Sequence, residues 1–240
     1  MYIIVVADVK PKTRRDVQEE TIGPLHLPEL VSGGAGEWSH FYNKEETLSS
    51  DVPLRTIRLA LRYVDHAPHS TRGPSSLSSS SRYGIRAFDS APYYGDSEIV
   101  LGTALKALEL EFPRSSYQLI TTVGRYRDGG ASSSSFDYSP STLRTSVRRS
   151  LRRLHTQYLD VVYLHDVEFV ASCVAPRKAG NHAAALGAEE EAYGLLEPCE
   201  ASVDDERVLE AIETLRSMQA DGLILHIGIS GPHLRTLSPH

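Results

Sequence analysis

The sequence predicts a parallel α/β fold, and within that class an incomplete TIM (β/α)8-type barrel with about five of its eight strand–helix units present. Two observations lead to this prediction. Short apolar runs rich in β-branched residues alternate along the chain with apolar stripes of helical period. The run 158–165, YLDVVYLH, is almost continuously apolar, as is typical of a parallel strand buried on both faces.

The first half of the chain contains two predicted strand–helix units. Residues 25–36, LHLPELVSGGAG, predict a first strand centred near Leu30 that runs into a glycine-rich turn. Apolar residues recur with helical period in 53–64, and residues 85–105 then form a strand, a tight turn and a second helix.

The second half repeats the pattern. Residues 117–123, YQLITTV, predict the third strand, and a loop follows it; Ser139-Pro140 supplies the cap and first position of the next helix. After the fourth strand and a long irregular stretch, 204–220 is a predicted helix whose inward stripe is Val208, Leu209, Ile212, Leu215 and Met218. A fifth buried strand, 223–229, completes the series.

These elements define one domain, residues 25–231, a partial barrel that carries two excursions. Residues 65–83 are rich in Ser, Pro and Gly and predict a disordered insertion, and residues 166–203 predict a long surface loop over the barrel mouth. Residues 1–24 form an N-terminal arm to which the sequence assigns no role, and residues 232–240 form a tail.

Composition limits the classes of partner. The formal net charge of −6 over 240 residues argues against a nucleic-acid or anionic-membrane surface. The apolar start, 2–9, contains Asp8 and lacks a basic leader, so it predicts neither a secretory signal nor a membrane span. Cys173 and Cys199 lack metal-like spacing, and a reduced, intracellular pair is expected. A cytoplasmic protein that binds neither nucleic acid nor membrane is therefore expected.

Asp89 and Tyr94 lie on the turn after the second predicted strand, at the end where parallel α/β folds place their chemistry. A carboxylate and a phenol five residues apart can share a cleft, in which the acid tunes the phenol as a proton donor. Alternatively, Asp89 caps the following helix and the tyrosines pack, and spacing alone favours this second interpretation.

The exact residues of this stretch match a known family signature. FDSAPYYGDSEIVLGTAL, residues 88–105, closely resembles the aldo-keto reductase signature F-D-[ST]-[AS]-x-x-Y-G-x-S-E-x-x-L-G-x-A-L. The resemblance implies that Asp89 and Tyr94 are two of four catalytic residues, with Tyr94 the proton donor to a substrate carbonyl. It also implies that His165, at the end of the fourth predicted strand, orients the carbonyl. Because each of these residues ends a strand, we expect them to converge, with Thr122, at one mouth.

The fourth catalytic residue of the family, a lysine, is replaced. Where the family has T-K-x-G-R, residues 121–125 are Thr-Thr-Val-Gly-Arg, so Thr122 occupies the lysine position. A threonine hydroxyl offers a hydrogen bond but no charge, and the phenol therefore loses an ammonium that would lower its pKa. Arg125 has a longer, planar head group and is not a substitute for lysine.

The resemblance implies NAD or NADP as the cofactor. It places the glycine turn with Gly33 and Gly34 near the nicotinamide, although a plain loop explains that turn equally well. Ser230 matches a family serine that contacts the nicotinamide amide, whereas Gly231 stands where the family often has asparagine. No metal is predicted, because no second ligand cluster with metal spacing accompanies His165.

The leading hypothesis is an NAD(P)-dependent oxidoreductase of the aldose 1-dehydrogenase or carbonyl reductase type, most similar to the branch containing D-arabinose and L-galactose 1-dehydrogenases. The main alternative is an inactive or catalytically impaired member, since Thr122 replaces lysine and the last three barrel strands are expected to be missing. Open sheet edges would then favour self-association. A metal hydrolase using His165 and Asp166 is the third hypothesis.

Overall fold

The computed structural model describes residues 3–6, 25–28, 31–33, 38–39, 43–62, 85–127, 134–170 and 203–231. In chain order its strands are β1 (Ile3–Val6), β2 (Val31–Gly33), β3 (Ala87–Asp89), β4 (Gln118–Val123), β5 (Arg125–Arg127), β6 (Ser134–Phe136), β7 (Leu159–His165) and β8 (Ile224–Gly231). Its α-helices are α1 (Glu45–Leu48), α2 (Val52–Arg62), α3 (Ser97–Ala107), α4 (Pro140–Arg153) and α5 (Val203–Ala220). The insertion predicted at 65–83, residues 171–202 of the loop predicted at 166–203 with both cysteines, and the tail lie outside the described residues.

The chain divides into two compact units. The signature unit comprises His26–Ile120 with Arg152–Thr156 and therefore contains the whole 88–105 motif. The histidine unit comprises Met1–Leu25, Thr121–Leu151 and Gln157–His240.

The signature unit is built on three parallel strands. Val31 of β2 pairs with Ala87 of β3, and Ala87 pairs in turn with Gln118, in the first half of β4. Ile57 and Leu61 of α2 are fully buried, as the helical stripe predicts. Because β2, β3 and the first half of β4 are parallel, they all run toward the sheet edge at which Asp89 lies. Parallel strands bring the side chains at their carboxyl ends to one edge of the sheet in this way.

The signature glycine Gly102 has a packing role in this unit. A Cβ atom at Gly102 would lie 2.0 Å from the carbonyl oxygen of Arg153, at the end of α4. Because backbone atoms cannot move out of the way as a flexible side chain can, only glycine allows α3 to approach the end of α4 this closely.

The histidine unit is built on β7 and β8, with the second half of β4 on the far side of β7. β7 and β8 are parallel, from the pair Leu159 and Ile224 to the pair His165 and Ser230. Every residue of β7 is buried, which confirms the prediction drawn from its continuous apolar run. The parallel strands joined by helices confirm the α/β class.

Two expectations about this unit are wrong. Leu209 was expected to face inward but is 61% exposed, because the buried stripe of α5 runs through Val208, Ala211 and Leu215, one position round the helix. The outer edge of the fifth parallel strand was expected to be open. Instead β1 pairs antiparallel with this strand, β8, with Ile3 opposite Gly231, so residues 3–6 of the arm cover that edge.

Outside the parallel strands, β5 and β6 pair antiparallel as a short hairpin. Most of the loop predicted after the third strand lies outside the described residues, and its last residues, Ser134 and Ser135, belong to β6. Among the described helices, none combines the length and apolar character needed to cross a membrane.

Candidate active site

Asp89 ends β3 in the signature unit, and its side chain is half-buried. Its Oδ1 atom is buried and has no hydrogen-bond partner among the described residues. Burial raises the pKa of the Asp89 carboxyl to about 7, against a smaller opposing effect from a backbone hydrogen bond with Ser90. A carboxyl group with this pKa can hold or release a proton near neutrality.

Asp89 does not cap the helix that follows it. The N-cap position of α3 is Asp96, and the Asp96 side chain makes no capping hydrogen bond. The structural alternative for Asp89 is therefore wrong, and its position at the strand end is left without a role in helix capping.

Tyr94 closes the short 3-10 turn Pro92–Tyr94 that follows β3. Its backbone N–H donates to the carbonyl oxygen of Ala91 at 3.0 Å, and its ring meets Tyr93 edge to face, 6.0 Å between centroids. The side chain is half-buried. Gly95 then adopts φ 64, a left-handed value that favours glycine, and so fixes the direction in which the turn leaves Tyr94.

The other polar residues of the motif hold this turn to α3. The hydroxyls of Ser90 and Ser97 are 2.8 Å apart and buried. The Glu98 carboxylate is fully buried and accepts from Arg153 Nη1 at 3.3 Å. A buried carboxylate needs such a partner. The Ser90–Ser97 contact therefore holds the turn segment to α3, and the Glu98–Arg153 contact holds α3 to the end of α4.

Thr122 and His165 meet in the histidine unit. Oγ1 of Thr122 lies 3.0 Å from Nδ1 of His165, and both side chains are buried. Burial lowers the pKa of the His165 imidazole; the charge of Asp166 raises it and that of Arg125 lowers it. The hydroxyl at the lysine position is therefore engaged with the histidine.

Arg125 binds Asp166, the residue after His165. Arg125 Nη1 donates to Asp166 Oδ2 at 2.5 Å, and the same oxygen lies 3.6 Å from Nε2 of His165. The Asp166 side chain is almost wholly buried, and its backbone has the left-handed φ of 58. The Arg125 guanidinium is thus engaged with this carboxylate, in agreement with the expectation that it does not substitute for the lysine.

Tyr138 contacts the backbone of His165, a contact that the sequence did not predict. Its hydroxyl donates to the carbonyl oxygen of His165 at 2.8 Å. Its ring lies against Gly124, where a Cβ atom would come within 2.3 Å of it and where φ is 102. Gly124 is therefore required both by its left-handed backbone and by the close approach of the ring.

The predicted cofactor residues fall in different places. Ser230 of β8 is buried, stands opposite His165 in the strand register, and donates to the carbonyl oxygen of Leu164 at 3.3 Å. Gly33 ends β2 in the signature unit, and a Cβ atom there would meet nothing within 4 Å. Gly34 lies outside the described residues.

The structure therefore brings Thr122, His165 and Ser230 together in one unit and holds Asp89 and Tyr94 in the other. That all the catalytic residues meet at one mouth stays a prediction. The sequence analysis did not predict the roles of Tyr138 or of the Asp166–Arg125 pair. For the pair, the available signal was the polar sequence His165-Asp166 at the end of a buried strand. Within the described ranges, no three His, Cys, Asp or Glu side chains form a group that could hold a metal ion.

The fold and these strand-end residues define a class: an α/β protein of the (β/α)8-barrel type with polar side chains at the carboxyl ends of its strands. Residues 77–238, more than half of the chain, match the model of the aldo/keto reductase family. The chain belongs to this family of oxidoreductases.

Curated relatives agree with this assignment. D-arabinose 1-dehydrogenase of Saccharomyces cerevisiae is 41% identical over 149 residues, which cover 62% of this chain and 33% of that protein. L-galactose dehydrogenase of Arabidopsis thaliana is 46% identical over 90 residues, 37% of this chain and 26% of that protein. The chain thus spans about a third or less of the length of these relatives.

Solved structures show the same fold. An aldo-keto reductase from Bacillus halodurans, in its holo form, superposes with a TM-score of 0.51 at 23% identity, covering 85% of this chain and 46% of that chain. A Pseudomonas aeruginosa protein described as a candidate aldo-keto reductase gives a TM-score of 0.52 at 24% identity, covering 88% of this chain and 57% of its own. The prediction of an incomplete (β/α)8-type barrel is confirmed.

Proposed function

We propose that this protein is an NAD- or NADP-dependent oxidoreductase acting at C1 of an aldose or on a related carbonyl compound, with Tyr94 as proton donor and acceptor. The main observation behind the proposal is Asp89, which lies five residues before the half-buried Tyr94 in the family signature. Its Oδ1 atom is buried, and the pKa of its carboxyl is raised to about 7. The names of the two dehydrogenase relatives support an aldose as substrate.

Tyr94 handles the proton in this proposal. In the reductive direction its phenol gives a proton to the carbonyl oxygen, and in the oxidative direction the phenolate takes a proton from the C1 hydroxyl. Asp89 assists while it is protonated, because a neutral carboxyl group does not oppose the phenolate, whereas its carboxylate raises the pKa of a nearby phenol. His165 orients the substrate oxygen, as the family resemblance implies.

The chemistry of Ser230 fits a nicotinamide cofactor. Its hydroxyl donates a hydrogen bond to the carbonyl oxygen of Leu164, and the oxygen lone pairs can still accept a hydrogen bond from the N–H of a carboxamide. Gly33 has open space beside it, which suits the close approach of a ligand to the backbone. When bound, the cofactor gives or takes the hydride.

The second candidate function is a family member that binds ligands but turns them over poorly or not at all. The observation that favours it is Thr122, whose hydroxyl contacts His165 at 3.0 Å and brings no positive charge to the site. Losing one interaction that tunes a catalytic pKa typically lowers the rate by ~10²–10⁴.

The test combines binding with turnover. Quenching of protein fluorescence by NADH and NADPH measures cofactor binding, and absorbance of the nicotinamide follows oxidation of D-arabinose and L-galactose and reduction of a simple aldehyde. Turnover of any of these supports the first candidate. Binding without turnover selects the second, and neither binding nor turnover contradicts both.

A further inference from the structure

We propose that Arg125 and Phe136, on the β5–β6 hairpin, are positioning residues for His165, which they hold by gripping the turn that begins at Asp166. Any effect on catalysis rests on the proposed function. The contacts of Arg125 and Phe136 can be tested without an activity assay, by following the His165 imidazole.

The turn needs an external hold because of its backbone. Asp166 has φ 58 and ψ 56, a left-handed conformation that costs energy for a residue with a Cβ atom. Its carboxylate is anchored by Arg125 at 2.5 Å, with the Asp166 side chain 2% exposed and that of Arg125 21% exposed. A charge-assisted hydrogen bond in so dry a place is stronger than one at the surface.

The hairpin contacts the same turn a second time. The Arg125 guanidinium lies 5.6 Å from the centre of the Phe136 ring, which stacks on Phe169 with 5.4 Å between centroids and 18° between planes. Phe169 belongs to the short 3-10 turn Val167–Phe169 directly after Asp166. The turn is therefore fixed by an ion pair at its first residue and by an aromatic stack at its last.

These contacts set the state of the imidazole. With Asp166 Oδ2 3.6 Å from Nε2, the neutral ring is favoured with its proton on Nε2, and Nδ1 then accepts the Thr122 hydroxyl at 3.0 Å. Arg125 also neutralises the carboxylate that would otherwise attract a second proton to the ring. Removing Arg125 should therefore both loosen the ring and make it more basic.

The experiment is an NMR titration of the full chain in which the His165 imidazole signals are assigned by their loss in His165→Asn. Arg125→Met is expected to raise the pKa of His165, because the uncompensated Asp166 carboxylate favours the imidazolium. Arg127→Met is the matched control: it removes an exposed arginine from the same strand and should leave the His165 titration unchanged.

A second variant, Phe136→Leu, keeps the proposal testable if Arg125→Met fails to fold. Phe136→Leu keeps the ion pair and removes the stack, and should broaden or shift the His165 ring signals with less change in pKa. Equal His165 titrations in wild type, Arg125→Met and Phe136→Leu would overturn the proposal, whatever the assays of turnover show. If turnover is found, Arg125→Met should lower kcat about tenfold or more while leaving the cofactor KM unchanged, as expected of a group that orients the reacting residue.

Discussion

The hydroxyl of Thr122 lies 3.0 Å from Nδ1 of His165, inside a unit where both side chains are almost inaccessible to water. Thr122 stands at the position where the family has a lysine, and its hydroxyl is already hydrogen-bonded to His165. This pairing ties the two strand-end positions together, and it has a measurable energetic consequence.

Thr122→Val should destabilise the fold by about 1–3 kcal/mol, because it leaves a buried imidazole nitrogen without its partner in a side chain of nearly the same shape. Thr122→Ser keeps the hydroxyl and should lose less. Urea unfolding followed by circular dichroism gives both values. A Val variant as stable as the Ser variant would show that the hydrogen bond contributes nothing.

Asp89 should make the stability of the protein fall as pH rises. The pKa of its carboxyl is raised from 3.8 to about 7, so the folded state holds a proton that the unfolded state releases between these values. The free energy of unfolding is therefore predicted to decrease across that window, by at most about 4 kcal/mol. Asp89→Asn cannot ionise and should flatten the profile.

Unfolding of wild type and Asp89→Asn at pH 4, 6 and 8 measures this. The Asn variant is expected to be more stable than wild type at pH 8 and to lose that advantage at pH 4. Parallel profiles for the two proteins would show that Asp89 is solvated in the folded state.

Gly124 should tolerate no side chain. Gly124→Ala combines a left-handed φ of 102 with a Cβ atom 2.3 Å from the Tyr138 ring, so a loss of about 2–4 kcal/mol is expected from strain and overpacking together. Gly222→Ala is the matched control, with φ 73 but nothing within 4 Å of the new methyl group. It should cost only about 1 kcal/mol, the strain alone. Thermal unfolding of both variants compares them, and equal losses would remove the packing role assigned to Tyr138.

The N-terminal strand should keep the molecule from associating through β8. β1 pairs with β8 from Ile3 opposite Gly231 to Val6 opposite Gly228, and so satisfies backbone groups that would otherwise be free to bind another strand. Ile4→Pro combined with Val5→Pro removes the backbone donors of two neighbouring residues, one of which faces β8, and should shift the protein to larger species in size-exclusion chromatography with light scattering. The double Ala variant keeps the donors and should elute as wild type does; identical behaviour of the two variants would contradict the covering role.

Local patterns carried much of the prediction. The continuous apolar run of β7 and the Ser139-Pro140 start of α4 depend on residues close in sequence, so both were predicted correctly. The signature motif likewise contains its own turn and helix. These features need no information about distant parts of the chain.

What could not be predicted depends on contacts between distant residues. The Arg125–Asp166 pair joins residues 41 apart, and β1 pairs with a strand more than 200 positions away. The β5–β6 hairpin has short polar strands without an apolar period, so only its pairing reveals it. Asp166 has a left-handed backbone with φ 58, and no pattern in the sequence marks this conformation.

In the function proposed above, Tyr94 moves the proton in an aldose or carbonyl oxidoreductase. The most direct measurement is nicotinamide-linked turnover of D-arabinose, L-galactose and a simple aldehyde by wild type, Tyr94→Phe and Tyr93→Phe. Tyr93 is the matched control, because it is the adjacent tyrosine of the same short turn and its ring packs edge to face on Tyr94. We expect turnover by wild type, a loss of ~10² or more in kcat for Tyr94→Phe, and near-normal turnover by Tyr93→Phe. Turnover by Tyr94→Phe equal to that of wild type would contradict this role of Tyr94.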